Sequence, residues 1–125
     1  MFVKLLLLAL AGAMGTLARY GLALSVERYN GASFPLGTLA VNVLGCFAVG
    51  MIWALFENKW PVEPQTRMLV LVGFMGAFTT FSAIMLESGE LAKASGWLLA
   101  GANILLHNGL GVAALFGGAA LARVS

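Results

Sequence analysis

Gly73-Phe-Met-Gly-Ala-Phe-Thr-Thr-Phe-Ser-Ala-Ile-Met-Leu-Glu87 is oily enough to cross a bilayer, yet it holds two glycines, two adjacent threonines, a serine and three phenylalanines. Lipid contact alone favours Leu, Ile and Val. Small residues free the backbone, hydroxyls supply donors and acceptors, and phenyl rings present electropositive edges. The combination marks a place at membrane depth where something polar is met. Gly73 and Gly76, together with the paired Thr79 and Thr80, predict an interruption of the helix here. Non-helical backbone at depth is tolerated only where it is buried or lines a cavity. Such a break exposes carbonyl oxygens, which suit a hard cation such as Na⁺.

The rest of the chain makes that depth a membrane. Of 125 residues, 61% are hydrophobic and 10% charged, with a mean hydropathy of +0.95. Soluble domains carry about 25% charged residues. Apolar stretches at residues 2–24, 36–56, 68–86 and 96–121 are separated by short charged segments. Each reaches the roughly 20 residues that a helix needs to span the hydrocarbon. The expectation is an all-α membrane protein, one domain over residues 1–125 with four transmembrane helices and a break in the third. Lys4 and the following apolar run resemble a signal peptide, but signal cores are about 7–15 residues and this one continues to Leu24, with three more spans behind it. Cys46 is the single cysteine, so no intrachain disulfide forms, and a small buried apolar role is expected for it.

Charge counts leave orientation open. Both termini and the connection between the second and third spans share one side, with Lys4, Lys59, Arg67 and Arg123. The other side has Arg28 and Lys93, joined by Arg19 if it lies beyond the hydrocarbon. A weak positive-inside bias with cytoplasmic termini and insertion in both directions are both compatible with this. Four short helices enclose a path poorly, and small residues at four-residue spacing let helices pack closely. Ala11/Gly15, Cys46/Gly50/Ala54 and Gly109/Ala113/Gly117 are such stripes.

Polar residues inside the spans are the functional candidates. Thr38 and Asn42 share a helix face, and Asn103, His107 and Gly111 draw a second polar stripe. A lone polar group in a membrane helix is usually interhelical glue, worth about 0.6–2 kcal/mol. Two aligned sets point instead to a pathway. Arg19 is costly at mid-bilayer and is expected near the interface, snorkelling outward as a positive lure for an anion. The chain contains no Asp, and its Glu residues (27, 57, 63, 87, 90) fall at or beyond the span ends. A cation or proton-coupled transporter needs an acid at depth. Phe81 and Ile84, like Phe78 and Phe81, are three apart and on one helical face. Ring edges with Thr and Asn donors hold a small anion without trapping it.

Three motifs carry a family resemblance: Gly12-x-x-Gly15-x-x-x-Arg19, Gly37-Thr-Leu-x-Val-Asn42 and Gly73-Phe-x-Gly76-x-x-Thr-Thr-Phe-Ser82, ending in Glu87. In order, spacing and chain length they resemble the Fluc (CrcB) fluoride channels. The resemblance implies an antiparallel, dual-topology homodimer in the bacterial inner membrane, with lipid around it and no nucleic-acid partner. It implies passive fluoride export that lowers cytoplasmic fluoride, and a structural Na⁺ at the dimer centre held by the backbone carbonyls of Gly76 and Thr79. It places Asn42, Thr38, Phe81, Ser82, Asn103 and His107 along the fluoride path and Arg19 at the vestibule.

The chain departs from that pattern at Ile84, where the family places a second pore phenylalanine, at Gly111 in place of a track serine, and at Ala77 in place of a glycine. Ile84 lacks a ring edge. Conduction through Phe81 alone, a heterodimer whose partner supplies the ring, and an impaired channel are the three consequences. Among other classes, a small multidrug exporter needs a carboxylate in the first span, which here has Arg19. An enzyme needs a catalytic group, and His107 is the only histidine, with no nucleophile motif. The net charge of +2 is too small and scattered for nucleic acid.

Overall fold

The computed structural model describes residues 1–31 and 34–125, and among these it contains helices and no strand. Helix α1 spans Phe2–Asn30 and α2 Leu36–Asn58. The third crossing is composite: α3 (Pro64–Met68), a π-helical stretch Leu69–Met75 and the single turn α4 (Gly76–Phe78), then α5 (Phe81–Ser95). Helix α6 spans Trp97–Val124. The four crossings predicted from hydropathy are present as four helical segments long and apolar enough for a membrane. Each extends beyond its apolar run, because a helix keeps its backbone hydrogen bonds after its side chains reach the headgroups. At 1.5 Å per residue, the 29 residues of α1 exceed the ~30 Å of hydrocarbon.

The ends have local causes. Gly31 closes α1 at φ +73° and donates its N–H to the Glu27 carbonyl at 3.2 Å. Pro64 opens α3 with a φ already set for the first helical turn. Gly96 alone separates α5 from α6 at φ +93°, a conformation that a residue with a Cβ rarely adopts.

Small residues, rather than large side chains, make the contacts. Helix α2 lies along α6, and α5 packs on α6 as well, while α1 covers the π-helical stretch and α4. A methyl at Gly50 would stand 1.9 Å from the Leu115 carbonyl oxygen, and one at Gly118 would stand 2.0 Å from that of Phe47. Ala54, Ala119 and Ala122 complete this seam. The expected stripe through Cys46, Gly50 and Ala54 therefore packs, as does Ala11/Gly15, where a methyl on Gly15 would meet the Phe74 carbonyl at 2.2 Å. The stripe through Gly109, Ala113 and Gly117 does not pack within the chain: all three are exposed. The packed face of α6 runs instead through Asn103, His107, Gly111 and Gly118. Spacing alone could not choose between two small-residue faces on one helix.

The break lies at Thr79 (φ −83°, ψ 155°) and Thr80 (φ −148°, ψ 120°), both extended, rather than at the glycines. Thr79 ends α4 by donating from both N and Oγ1 to the Met75 carbonyl, each at 3.1 Å. The Thr80 hydroxyl caps α5 by accepting the Ala83 N–H at 3.3 Å. Gly73 and Gly76 remain helical, and Gly73 serves packing: a methyl there would lie 2.9 Å from Ala11 Cβ. Helical spacing therefore fails between Phe78 and Phe81, which lie on opposite sides of the break. Phe78 stacks on Phe74 instead, with centroids 6.1 Å apart.

Candidate functional site

Asn42 meets the break. Helix α2 carries it there because Gly45, nearly one turn later, leaves room: a methyl at Gly45 would lie 2.4 Å from Thr79 Cγ2 and 3.1 Å from the Phe78 ring. Asn42 is 6% exposed. Its Oδ1 accepts the Thr80 N–H at 2.8 Å, and its Nδ2 donates to the Thr80 carbonyl at 3.0 Å. One side chain thus supplies the acceptor that the interrupted helix cannot give the Thr80 N–H, and adds a second donor to the carbonyl with which Thr80 opens α5. A carboxamide has two N–H donors, so one is left over.

Asn42 also borders a cavity of about 180 Å³, lined with it by Cys46, Thr79, Thr80, Phe81, Ile84, His107 and Asn108. Phe81 is 68% exposed at its edge, whereas Ile84 is buried against the helices. His107 is 5% exposed. Its Nδ1 is 3.0 Å from the Asn103 carbonyl, which can only accept, so the ring proton of the neutral imidazole sits on Nδ1. In that tautomer Nε2 is a lone-pair acceptor, and it is buried with no partner among the described residues.

Toward the end of the bundle where α1 finishes and α2 begins lies a larger cavity of about 670 Å³, bordered by Glu27, Glu87 and Glu90 with Phe34, Pro35 and Leu91. Thr38, one turn before Asn42 and buried, donates its hydroxyl to Glu87. Glu87, directly after the apolar run, is thus held by a buried hydroxyl on α2. The apolar run stops at Leu86, but α5 continues to Ser95, with Ile84, Ser88 and Leu91 on its inner face.

The remaining candidates are dispersed. Asn103 is fully buried and lines neither cavity; its Nδ2 donates to Ser88 Oγ at 3.0 Å, tying α6 to α5. Ser82 is exposed, with its hydroxyl 3.4 Å from that of Thr80. Arg19 does not snorkel outward. It is half-buried, and Nε donates to the Ala77 carbonyl at 3.1 Å. That carbonyl sits at the C-terminal end of the broken half-helix, where a cation is favoured. Asn42, Phe81, Ile84, His107 and Thr79 are thus assembled around one cavity, while Thr38, Ser82, Asn103 and Arg19 surround it. Sequence reasoning missed Cys46, Thr80 and Asn108 as cavity residues. Asn42 and Cys46 lie four apart, a signal that was present but read as packing.

The carbonyls named for Na⁺ can be tested for fit. The Thr80 N–H that would close the next helical ring onto Gly76 goes to Asn42 instead, and Thr79 is extended. Both residues thus present neutral carbonyl oxygens freed by the break, a donor type that fits a hard cation.

Comparison with known proteins bears on the whole chain. Residues 6–119 match the family described as CrcB-like protein, Camphor Resistance (CrcB). A protein of Desulforapulum autotrophicum named fluoride-specific ion channel FluC is 54% identical over 121 residues, covering 97% of each chain. A protein of the same name from Nitrosococcus oceani is 48% identical over 99% of each chain. One from Nitratidesulfovibrio vulgaris is 52% identical over 82% of this chain and 86% of its own.

Proposed function

This chain belongs to the CrcB-like family, and from that premise we infer that it is a fluoride-specific ion channel, a multi-pass protein of the bacterial inner membrane. It conducts fluoride passively and performs no catalysis. Membership displaces the small multidrug exporter as an alternative.

The observation that carries the mechanism is that Asn42, with one N–H unspent, and Phe81 line one cavity that has no carboxylate on its wall. Fluoride crosses oil only if other dipoles replace its water. A charged partner would bind too tightly for release, whereas one amide donor and a ring edge hold the ion weakly. We place the fluoride route through this cavity, with Asn42 as donor, Phe81 at the rim and Ile84 and His107 as walls. Thr38, Ser82 and Asn103 stand beside the route. The guanidinium of Arg19, half-buried at the Ala77 carbonyl, adds positive potential near it.

Pairing of two copies is supported by incompleteness. Phe81 is a large ring left 68% exposed at the cavity edge. Gly76 and Thr79 offer two carbonyls per chain, whereas a hard cation takes more oxygens than that. An antiparallel homodimer doubles the set, and Na⁺ held there would tie the two broken helices together. Dual insertion is compatible with the balanced charges of the two sides.

The test is fluoride-electrode efflux from liposomes containing this chain alone. Rapid fluoride release with no chloride release is expected. Release only when a second, different family member is co-reconstituted would replace the homodimer by the heterodimer that Ile84 suggests.

A further inference from the structure

We propose that Asn108 is a second fluoride-binding amide of the small cavity, supplied by α6 as Asn42 is by α2. Asn108 lies eleven residues after Trp97 and sixteen before Val124, the two ends of α6. At 1.5 Å per residue it stands about 16 and 24 Å from those ends, well inside the hydrocarbon. It is exposed in the single chain, with the exposed Leu105 and Val112 about one turn to either side. Among the described residues its carboxamide makes one hydrogen bond, and that bond is local: Nδ2 donates to the Ile104 carbonyl at 2.8 Å. A carbonyl only accepts, so the nitrogen end is the end held there, and the second N–H and the amide oxygen stay uncommitted. Asn103 differs, since its Nδ2 ties α6 to α5 through Ser88. Asn108 ties α6 to no other helix of this chain.

An uncommitted amide at this depth is costly against lipid, because hydrocarbon offers it no partner. Asn108 borders more than lipid. It lines the same cavity of about 180 Å³ as Asn42 and Phe81. Helices α2 and α6 lie along each other, so two carboxamides from neighbouring helices border one space. That space has room for an ion and a few waters. Fluoride, the smallest halide, holds its water most tightly and accepts hydrogen bonds most strongly, so each N–H that stands in for a water matters to it. Asn42 alone replaces a small part of the shell. A second amide, met directly or through one water, replaces more of it and adds no charge that would trap the ion. This role rests on the fluoride route placed through the cavity, and gives that route a donor from the fourth crossing.

The test uses the full-length chain with Asn108→Leu, Asn108→Ser and Asn42→Asp, each reconstituted in liposomes for fluoride-electrode efflux. Chemical cross-linking in detergent reads the oligomeric state of the same preparations. Leucine matches asparagine in size and removes the amide, while serine keeps a donor on a shorter stem. Asn108→Leu should slow fluoride efflux about 10- to 100-fold, the loss expected for one hydrogen bond to an ion. Asn108→Ser should fall between it and the unmodified protein, and cross-linking should be the same in all. Unchanged efflux in Asn108→Leu beside a strong loss in Asn42→Asp would overturn the role of Asn108 and leave the route standing. Unchanged efflux in both would remove the route from this cavity, and Asn108 with it. Slow efflux together with lost cross-linking would overturn the proposal by making Asn108 a contact between copies. A serine variant as slow as the leucine one would overturn it by making Asn108 a packing residue.

Discussion

Replacing Asn42 by Asp keeps the shape of the side chain and inverts its chemistry. The oxygen that accepts the Thr80 N–H at 2.8 Å is retained. The nitrogen that donates to the Thr80 carbonyl at 3.0 Å becomes a second oxygen, so two acceptors face each other. Losing that hydrogen bond costs about 0.5–1.5 kcal/mol, since the carbonyl keeps the first helical bond of α5. Losing the spare N–H removes a hydrogen bond to a charged ion, worth about 1.5–3 kcal/mol. The third effect is the largest: a carboxylate about 4 Å from fluoride repels it by about 4 kcal/mol at an effective dielectric constant of 20. At 1.4 kcal/mol per factor of ten, that alone lowers flux about a thousandfold. Asn42→Ala is the control. It leaves the Thr80 N–H without its acceptor and destabilises the fold by about 1–3 kcal/mol, but adds no charge, so its flux falls only about 10- to 100-fold. Fluoride efflux and thermal unfolding in detergent, measured on both variants, order these effects. The expected outcome is that Asp is the worse conductor and Ala the less stable fold. If Asp conducted within tenfold of the unmodified protein, or matched Ala, no anion would pass near Asn42.

Phe81→Ala should lower fluoride efflux, because the ring borders the cavity and is mostly exposed within the single chain; unchanged efflux would make it a packing residue instead. Ile84→Phe adds a ring edge worth about 0.5–1.5 kcal/mol, so efflux should change by no more than about tenfold; a larger gain would show that the unmodified chain is an impaired channel. Gly118→Val should destabilise by about 1–3 kcal/mol or prevent folding, because even its Cβ would lie 2.0 Å from the Phe47 carbonyl oxygen. Gly117→Val, with nothing within 4 Å, should be tolerated in the same melting assay. Exchanging Na⁺ for a bulky organic cation should lower the melting temperature, by the equivalent of about 2.7 kcal/mol if Na⁺ was at 100 times its dissociation constant; no shift would remove Gly76 and Thr79 as ligands.

Much of this protein was legible before any coordinates, and for a definite reason. In a bilayer every backbone polar group must be satisfied within its own segment, so hydropathy alone dictates four helices. The cost of polar groups at depth then makes Asn42, His107 and the Thr79–Thr80 pair conspicuous in an apolar chain. Which of two small-residue faces of α6 would pack was not legible, because Gly109/Ala113/Gly117 and Gly111/Gly118 are equally plausible until α2 takes its place. The π-helical register of Leu69–Met75 was invisible too, since shifting a hydrogen bond by one residue leaves composition unchanged. Arg19 was misjudged for a related reason: cost at depth predicts flight toward water only if no carbonyl lies within reach, and the broken helix provides one at Ala77. The extent of α5 to Ser95 was not legible either, because hydropathy marks where oil ends, while a helix ends where its hydrogen bonds do.

The amino-acid order thus decided what kind of molecule this is: an all-helical membrane unit with a hydroxyl-rich break and no aspartate. Only the tertiary structure decided what each polar group has left to offer. Asn42 spends two of its four hydrogen-bonding directions on Thr80, His107 turns one nitrogen to its own helix, and Cys46 lines the cavity as well as packing against α6. These facts depend on which helices stand side by side, and a residue's unspent donors and lone pairs can be counted only after its neighbours have taken their share.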